Sequence, residues 1–184
     1  ITNKIIDDIL DINNKIHHHK IHSKPTVGIM NGLYATESGI GGLTRVECFR
    51  TISERKFELE LTGKQGDVMV ESVKVARTIA TNLLPDDIKI KINDEIQVSG
   101  SFGLHIHCPE GGVPKDGPSA GGVMTLVILS QLCGIPITND IAMTGEIDLN
   151  GTIRAIGGLH SKLQGAKNAG CSLVIIPKDN EQDL

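Results

Sequence analysis

Pro114-Lys115-Asp116-Gly117-Pro118-Ser119-Ala120-Gly121-Gly122 is where this chain passes from loop to buried helix. Glycine and proline hold the first half in a tight loop. From Ser119 to Cys133 the residues are apolar on nearly every face, which marks a helix surrounded by protein. Gly134 and Pro136 end it. Ser119 therefore sits where a loop meets the first turn of a buried helix. Free N–H groups and the positive end of the helix dipole gather there, an arrangement that stabilises a developing oxyanion. Ala120, Gly121 and Gly122 are small enough for a substrate backbone to come close. A serine that only caps the helix fits the same residues, and local pattern alone favours that commoner role.

Working outward, the flanking elements alternate between helix and strand periods. Upstream, Thr26–Thr36 is apolar enough for a strand. Leu43–Thr51 and Lys56–Leu61 alternate across the polar Ser53-Glu54-Arg55, which predicts a hairpin. Asp67 to Leu84 reads as a helix with Met69, Val73, Ala76, Ala80 and Leu83 on one face, closed by Pro85. Ile88–Ile96 carries alternating isoleucines, and Gly103–His107 reads as a strand. Downstream, Ile141–Leu149 and Thr152–Ile156 flank Asn150-Gly151, a two-residue hairpin signal. Leu159–Ala169 reads as a final helix ending at Gly170, and Ser172–Ile176 as a short buried strand. Hairpins mixed with separate helices predict an α+β domain of mixed sheets and packed helices over residues 25–184. Residues 1–24 stand apart. Ile5, Ile6, Ile9, Leu10, Ile12 and Ile16 recur near helical spacing, so the segment reads as a helical extension and linker ending at Pro25. It either packs on the main domain or is the tail of a preceding one.

A nucleophilic serine needs a base. His105 and His107, two apart on one strand, face the same side and offer one arrangement. Lys162, near the start of the last helix among Ile156, Gly157, Gly158, Leu159 and Leu163, offers another. Burial disfavours a lysine's charge, so such a site can bring its pKa from ~10.4 to roughly 7–8. Exposed histidines and a solvated lysine are the plainer readings of both, and the residues alone leave the choice open.

Five segments in register resemble the proteolytic domain of Lon proteases. They are the stretch around Ser119, Gly66-Asp67-Val68-Met69-Val70-Glu71-Ser72, His105-Ile106-His107-Cys108-Pro109-Glu110-Gly111, Met143-Thr144-Gly145-Glu146-Ile147, and Ile156-Gly157-Gly158-Leu159-His160-Ser161-Lys162-Leu163. The resemblance runs from about Thr26 to the C-terminus. It implies the Lon proteolytic-domain fold and a serine endopeptidase acting on unfolded or damaged proteins. In it Ser119 and Lys162 form a dyad, and Thr144 orients the lysine. Asp116, Gly117 and Pro118 shape the oxyanion region, and His105 and His107 lend support. It also implies six-membered rings of identical subunits, and an upstream ATPase domain, absent from this chain, that holds ATP and magnesium. Two positions depart from the family's usual pattern: Tyr34 where many members carry Trp, and His160 where many carry Lys. Relatives that use this fold for assembly lack the serine, whereas Ser119 and Lys162 both stand here in full motifs. A stand-alone ATP-independent protease is the other alternative.

Composition bounds the rest. The chain has 184 residues, 39% of them hydrophobic but only 2% aromatic and none Trp, so its core must be aliphatic. A net charge of -4 gives no footprint for nucleic acid, and the scarcity of aromatics removes stacking platforms. No G-x-x-x-x-G-K-[ST] phosphate loop is present. No apolar run approaches membrane-spanning length and no signal peptide is visible. Cys48, Cys108, Cys133 and Cys171 include no C-x-x-C pair, which predicts reduced thiols, no structural metal and no cofactor in this chain. That fits an intracellular protein, in the cytoplasm or the mitochondrial matrix. His17, His18 and His19 form the one metal-like cluster, and read better as part of a solvated linker because adjacent residues do not share a face.

Overall fold

The computed structural model describes residues 20–109 and 115–184. The expected helix within residues 1–24 and the His17–His19 cluster lie outside the described residues, apart from positions 20–24. Those five run beside the last helix: Ile21 N–H reaches Ala169 O at 3.4 Å, and His22 O accepts from Asn139 Nδ2 at 2.7 Å.

Six strands form one mixed sheet: β1 (Ile29–Ala35), β2 (Gly41–Ile52), β3 (Leu59–Thr62), β4 (Phe102–His107), β5 (Ile141–Met143) and β8 (Leu173–Ile175), in the order β3-β4-β2-β1-β5-β8. A two-stranded ribbon of β6 (Glu146–Ile147) and β7 (Ile153–Arg154) lies beside it. The helices are α1 (Asp67–Leu83), α2 (Asp86–Ser99), α3 (Gly121–Cys133) and α4 (Leu159–Ala169). This is the α+β architecture that the alternating periods imply.

The two sheet faces carry different layers because strand residues alternate. Met30 and Val46 are cross-strand partners that join Val73, Val123 and Val127 in the main core, beneath α1 and α3. Leu33 and Leu43, partners on the opposite face, pack with Ala166 and Ala169 of α4. Each fully buried Val, Leu, Ile or Met contributes about 1.5–3 kcal/mol, which lets so aliphatic a chain hold together. α3 is buried along nearly its whole length, as its sequence demands, and Gly134 ends it in a left-handed turn.

Five local expectations need correction. Leu43–Thr51 and Lys56–Leu61 do not pair as a hairpin, because β4 inserts between β2 and β3. β4 satisfies both, antiparallel to β2 and parallel to β3. The isoleucines of 88–96 lie on helix α2: Ile88, Ile92 and Ile96 face the core every fourth residue, while Ile90 points to solvent. The eye catches the alternation of 88, 90 and 92; the helical spacing is the one that is buried. On α1, Leu83 is exposed and Ile79 is buried instead, as is Leu84 just past the helix end. β8 is an outer strand with Leu173 and Ile175 exposed, not a buried one. The Asn150-Gly151 hairpin exists, but only β6 and β7 form it, and Ile141–Met143 belongs to the main sheet. Its turn is longer than two residues: Asp148 N–H reaches Thr152 O at 3.1 Å, and Gly151, at φ 81°, supplies the left-handed position such a turn needs.

Candidate active site

β5 stops at Met143, and the chain then leaves the sheet. Just beyond that end, Thr144 lies fully buried. α4 approaches from one face of the sheet and the start of α3 from the other. A cleft of about 700 Å3 opens here, lined by Ser119, Lys162, Lys115, Asp116, Gly117, Ala120, Gly157, Gly158, Met69 and the end of the β1–β2 hairpin with Leu33, Tyr34 and Leu43.

Ser119 is the middle residue of a single 3-10 turn, Pro118–Ala120, that precedes α3. The turn and the start of α3 are joined to the segment after β5 by three contacts. Gly145 N–H donates to Ser119 O at 2.7 Å, Thr144 Oγ1 reaches the same oxygen at 3.3 Å, and Gly122 N–H donates to Gly145 O at 3.0 Å. Gly145 itself is packed against β7, since a Cβ there would lie 2.3 Å from Ile153 Cγ2. Among the described residues the Ser119 hydroxyl makes no hydrogen bond; it lines the cleft without one.

Lys162 comes from the first turns of α4 and is only 4% exposed. Its Nζ donates to Thr144 Oγ1 at 3.3 Å, and no carboxylate among the described residues pairs with it. Desolvation by burial holds its pKa below the ordinary lysine value. The lysine reaches this depth because α4 lies directly on the hairpin. A Cβ on Gly41 would lie 1.8 Å from Ser161 O, and one on Gly165 would lie 2.4 Å from Gly42 N. The Gly39–Gly42 cluster, legible beforehand only as a chain break, supplies that contact.

The other candidate residues fall into two groups. Asp116 faces the cleft, but its Oδ1 accepts from Met69 N–H at 2.9 Å and from Gly117 N–H at 2.8 Å. It thus caps α1, whose own N-cap, Gly66, has no side chain to do so. Gly117, at φ 124°, and Pro118 lead from that cap into the serine turn. His105 and His107 do not line the cleft. Both bond Thr62 Oγ1, at 2.8 Å and 2.7 Å, and His105 also approaches Glu60 at 3.7 Å. Gly121 and Gly122 are buried against other elements rather than open to a ligand: a Cβ on Gly121 would lie 2.8 Å from Ser72 Oγ, and one on Gly122 2.6 Å from Met143 Cε. Ser72, the last residue of the Gly66–Ser72 motif, has no role legible in the sequence, though it is the polar member of the buried stripe Met69, Ser72, Val73, Ala76. Among the described residues no group of three or more His, Cys, Asp or Glu side chains gathers to hold a metal ion, and no helix is long and apolar enough to cross a membrane.

A family model described as the Lon protease (S16) C-terminal proteolytic domain matches residues 1–184. A Lon protease homolog of Acanthamoeba polyphaga mimivirus is 41% identical over all of this chain and 19% of its own length. The Lon protease of Clostridioides difficile is 44% identical over 87% of this chain and 19% of its own. That of Dictyoglomus thermophilum is 38% identical over all of this chain and 23% of its own. The chain thus spans about a fifth of the length of the curated relatives it matches. On the match of the whole chain and of these relatives, the protein belongs to the Lon protease (S16) C-terminal proteolytic domain family.

Proposed function

We propose that this chain is the peptide-bond-hydrolysing unit of a longer ATP-dependent protease, with Ser119 as nucleophile and Lys162 as general base. One observation carries the reading: a nearly buried lysine, unpaired with any carboxylate among the described residues, lines the same cleft as a serine hydroxyl that makes no hydrogen bond. An amine desolvated in this way loses its proton more easily and can accept one. Thr144 holds it through a neutral hydroxyl, which fixes Nζ without the negative charge that would raise its pKa.

In the reaction Ser119 Oγ attacks the scissile carbonyl while its proton passes to Lys162 Nζ. A C–O bond forms and the carbonyl electron pair moves to oxygen. Collapse expels the amine, which takes the proton from Lys162. Water then attacks the ester, with Lys162 accepting and returning a proton, and the acid leaves Ser119. The oxyanion meets the free N–H groups at the start of the serine turn. His105 and His107, held by Thr62 away from the cleft lining, are assigned no part in proton transfer. Substrates are unfolded segments, since the chain must lie extended in the cleft. ATP and magnesium act from a domain outside this chain, and identical subunits close into a six-membered ring. The small share of each relative's length that this chain spans supports that division of labour.

Ser119→Ala tests the assignment. It is expected to abolish hydrolysis of an unstructured peptide with the circular-dichroism spectrum and thermal midpoint unchanged. Hydrolysis at the wild-type rate would refute it.

A further inference from the structure

Ser72 stands in the buried stripe of α1, 7% exposed, where every neighbour on the same face is apolar. Its Oγ donates to Pro118 O at 3.3 Å, across 46 residues of sequence. Gly121 N–H donates to the same oxygen. Pro118 O belongs to the peptide unit whose N–H is that of Ser119. All peptide bonds of the described residues are trans, so C=O and N–H of that unit point in opposite directions. Gly121 holds the carbonyl along the axis of the turn. Ser72 holds it from the side, from a different element. With the oxygen fixed against α1, the Ser119 N–H is directed away from α1, and as an early residue of the turn it has no partner within it.

We propose that Ser72 is a positioning residue that aims the Ser119 N–H at the oxyanion of the tetrahedral intermediate. The inference rests on the dyad reading above and adds the device that orients its oxyanion donor. The fit between α1 and the serine turn is made for this contact. A Cβ on Gly121 would come within 2.8 Å of Ser72 Oγ, so the glycine leaves room for the hydroxyl. Asp116 ties the other end of the same loop to the start of α1 through Met69 N–H. α1 thereby grips the loop on both sides of Gly117, and only the second grip bears on the nucleophile's own peptide unit.

The test compares Ser72→Ala, Ser119→Ala and the wild-type chain on an unstructured peptide, a peptide boronate that forms a tetrahedral adduct, and a non-hydrolysable peptide of the same sequence. Removing a direct oxyanion donor costs about 100- to 1,000-fold in kcat; loss of an orienting contact is expected to cost less, about tenfold in kcat with KM nearly unchanged. Boronate affinity should fall in step with kcat, while affinity for the non-hydrolysable peptide stays at the wild-type value. A purely structural role would move the thermal midpoint or all three affinities together. Ser72→Thr, which keeps the hydroxyl, should recover most of the boronate affinity. If Ser72→Ala matches the wild type in kcat and boronate affinity while Ser119→Ala is inert, the positioning role is wrong and the dyad stands. A wild type inert toward both substrate and boronate, or an active Ser119→Ala, removes the dyad reading itself.

Discussion

In the proposed dyad Lys162 is the general base, and its burial comes at a cost in stability. Burial lowers its folded-state pKa below the unfolded value, near 10.4. Between those two values the unfolded chain binds more protons than the folded one. Stability therefore rises with pH across that window, and the full burial penalty is felt below it. Lys162→Met keeps the bulk of the side chain and removes the charge, so at neutral pH it is expected to stabilise the fold by about 1 kcal/mol. It should also erase that residue's share of the alkaline rise, while abolishing hydrolysis. Urea unfolding of both proteins at several pH values measures this. A Met variant less stable than the wild type at neutral pH would mean that the ammonium is paired, not stranded. Thr144 and Asn31 show buried polar groups with neutral partners: Thr144 Oγ1 donates to Ser119 O, and Asn31 Nδ2 donates to Asn139 O and Ile141 O and so steers the chain into β5.

Among the elements, the depth of Lys162 depends on how closely α4 approaches the β1–β2 hairpin. Gly41 and Gly165 keep Cβ atoms out of that contact, and the atoms a Cβ on either would meet are backbone atoms that have little room to yield. Gly165→Ala is expected to cost roughly 1–3 kcal/mol by overpacking, lowering Tm by roughly 2–4 °C per kcal/mol. It should also reduce kcat, because any outward shift of α4 draws Nζ from Thr144. Calorimetry and peptide hydrolysis check both. Unchanged stability would show that the helix is free to move aside. None of this was legible in the sequence, where Gly39–Gly42 reads only as a break. The pattern did supply α1, α3 and α4 closely, because their apolar periods are long and their ends carry Pro or Gly. It misjudged α2, whose isoleucines satisfy a strand period and a helix period at once. It misjudged β3 as well, because pairing between strands distant in sequence leaves no local trace.

For the molecule as a whole, the cleft forms because β5 ends early and two helices from opposite faces of the sheet meet beyond it. Four of the five motifs, scattered from Gly66 to Leu163, supply its parts, and they meet only when the sheet brings them together. The Ser119 turn and the Thr144-Gly145 segment are joined by hydrogen bonds; the Lys162 amine joins them through Thr144. Asp116 shows how far a motif residue's role depends on this assembly, since its carboxylate caps a helix that begins 49 residues earlier. The dyad is the claim on which the rest depends. Its most direct test is the rate at which a fluorophosphonate labels Ser119, read by mass spectrometry from about pH 6 to about pH 11, a range that extends past the ordinary lysine value of ~10.4. The comparison includes the wild type, Lys162→Arg and His107→Ala. Labelling should rise with pH through an ionisation below the usual lysine range in the wild type and in His107→Ala, and should be almost absent in Lys162→Arg, whose guanidinium stays protonated throughout. Rapid labelling of Lys162→Arg together with none in His107→Ala would contradict the dyad and make the histidine the base.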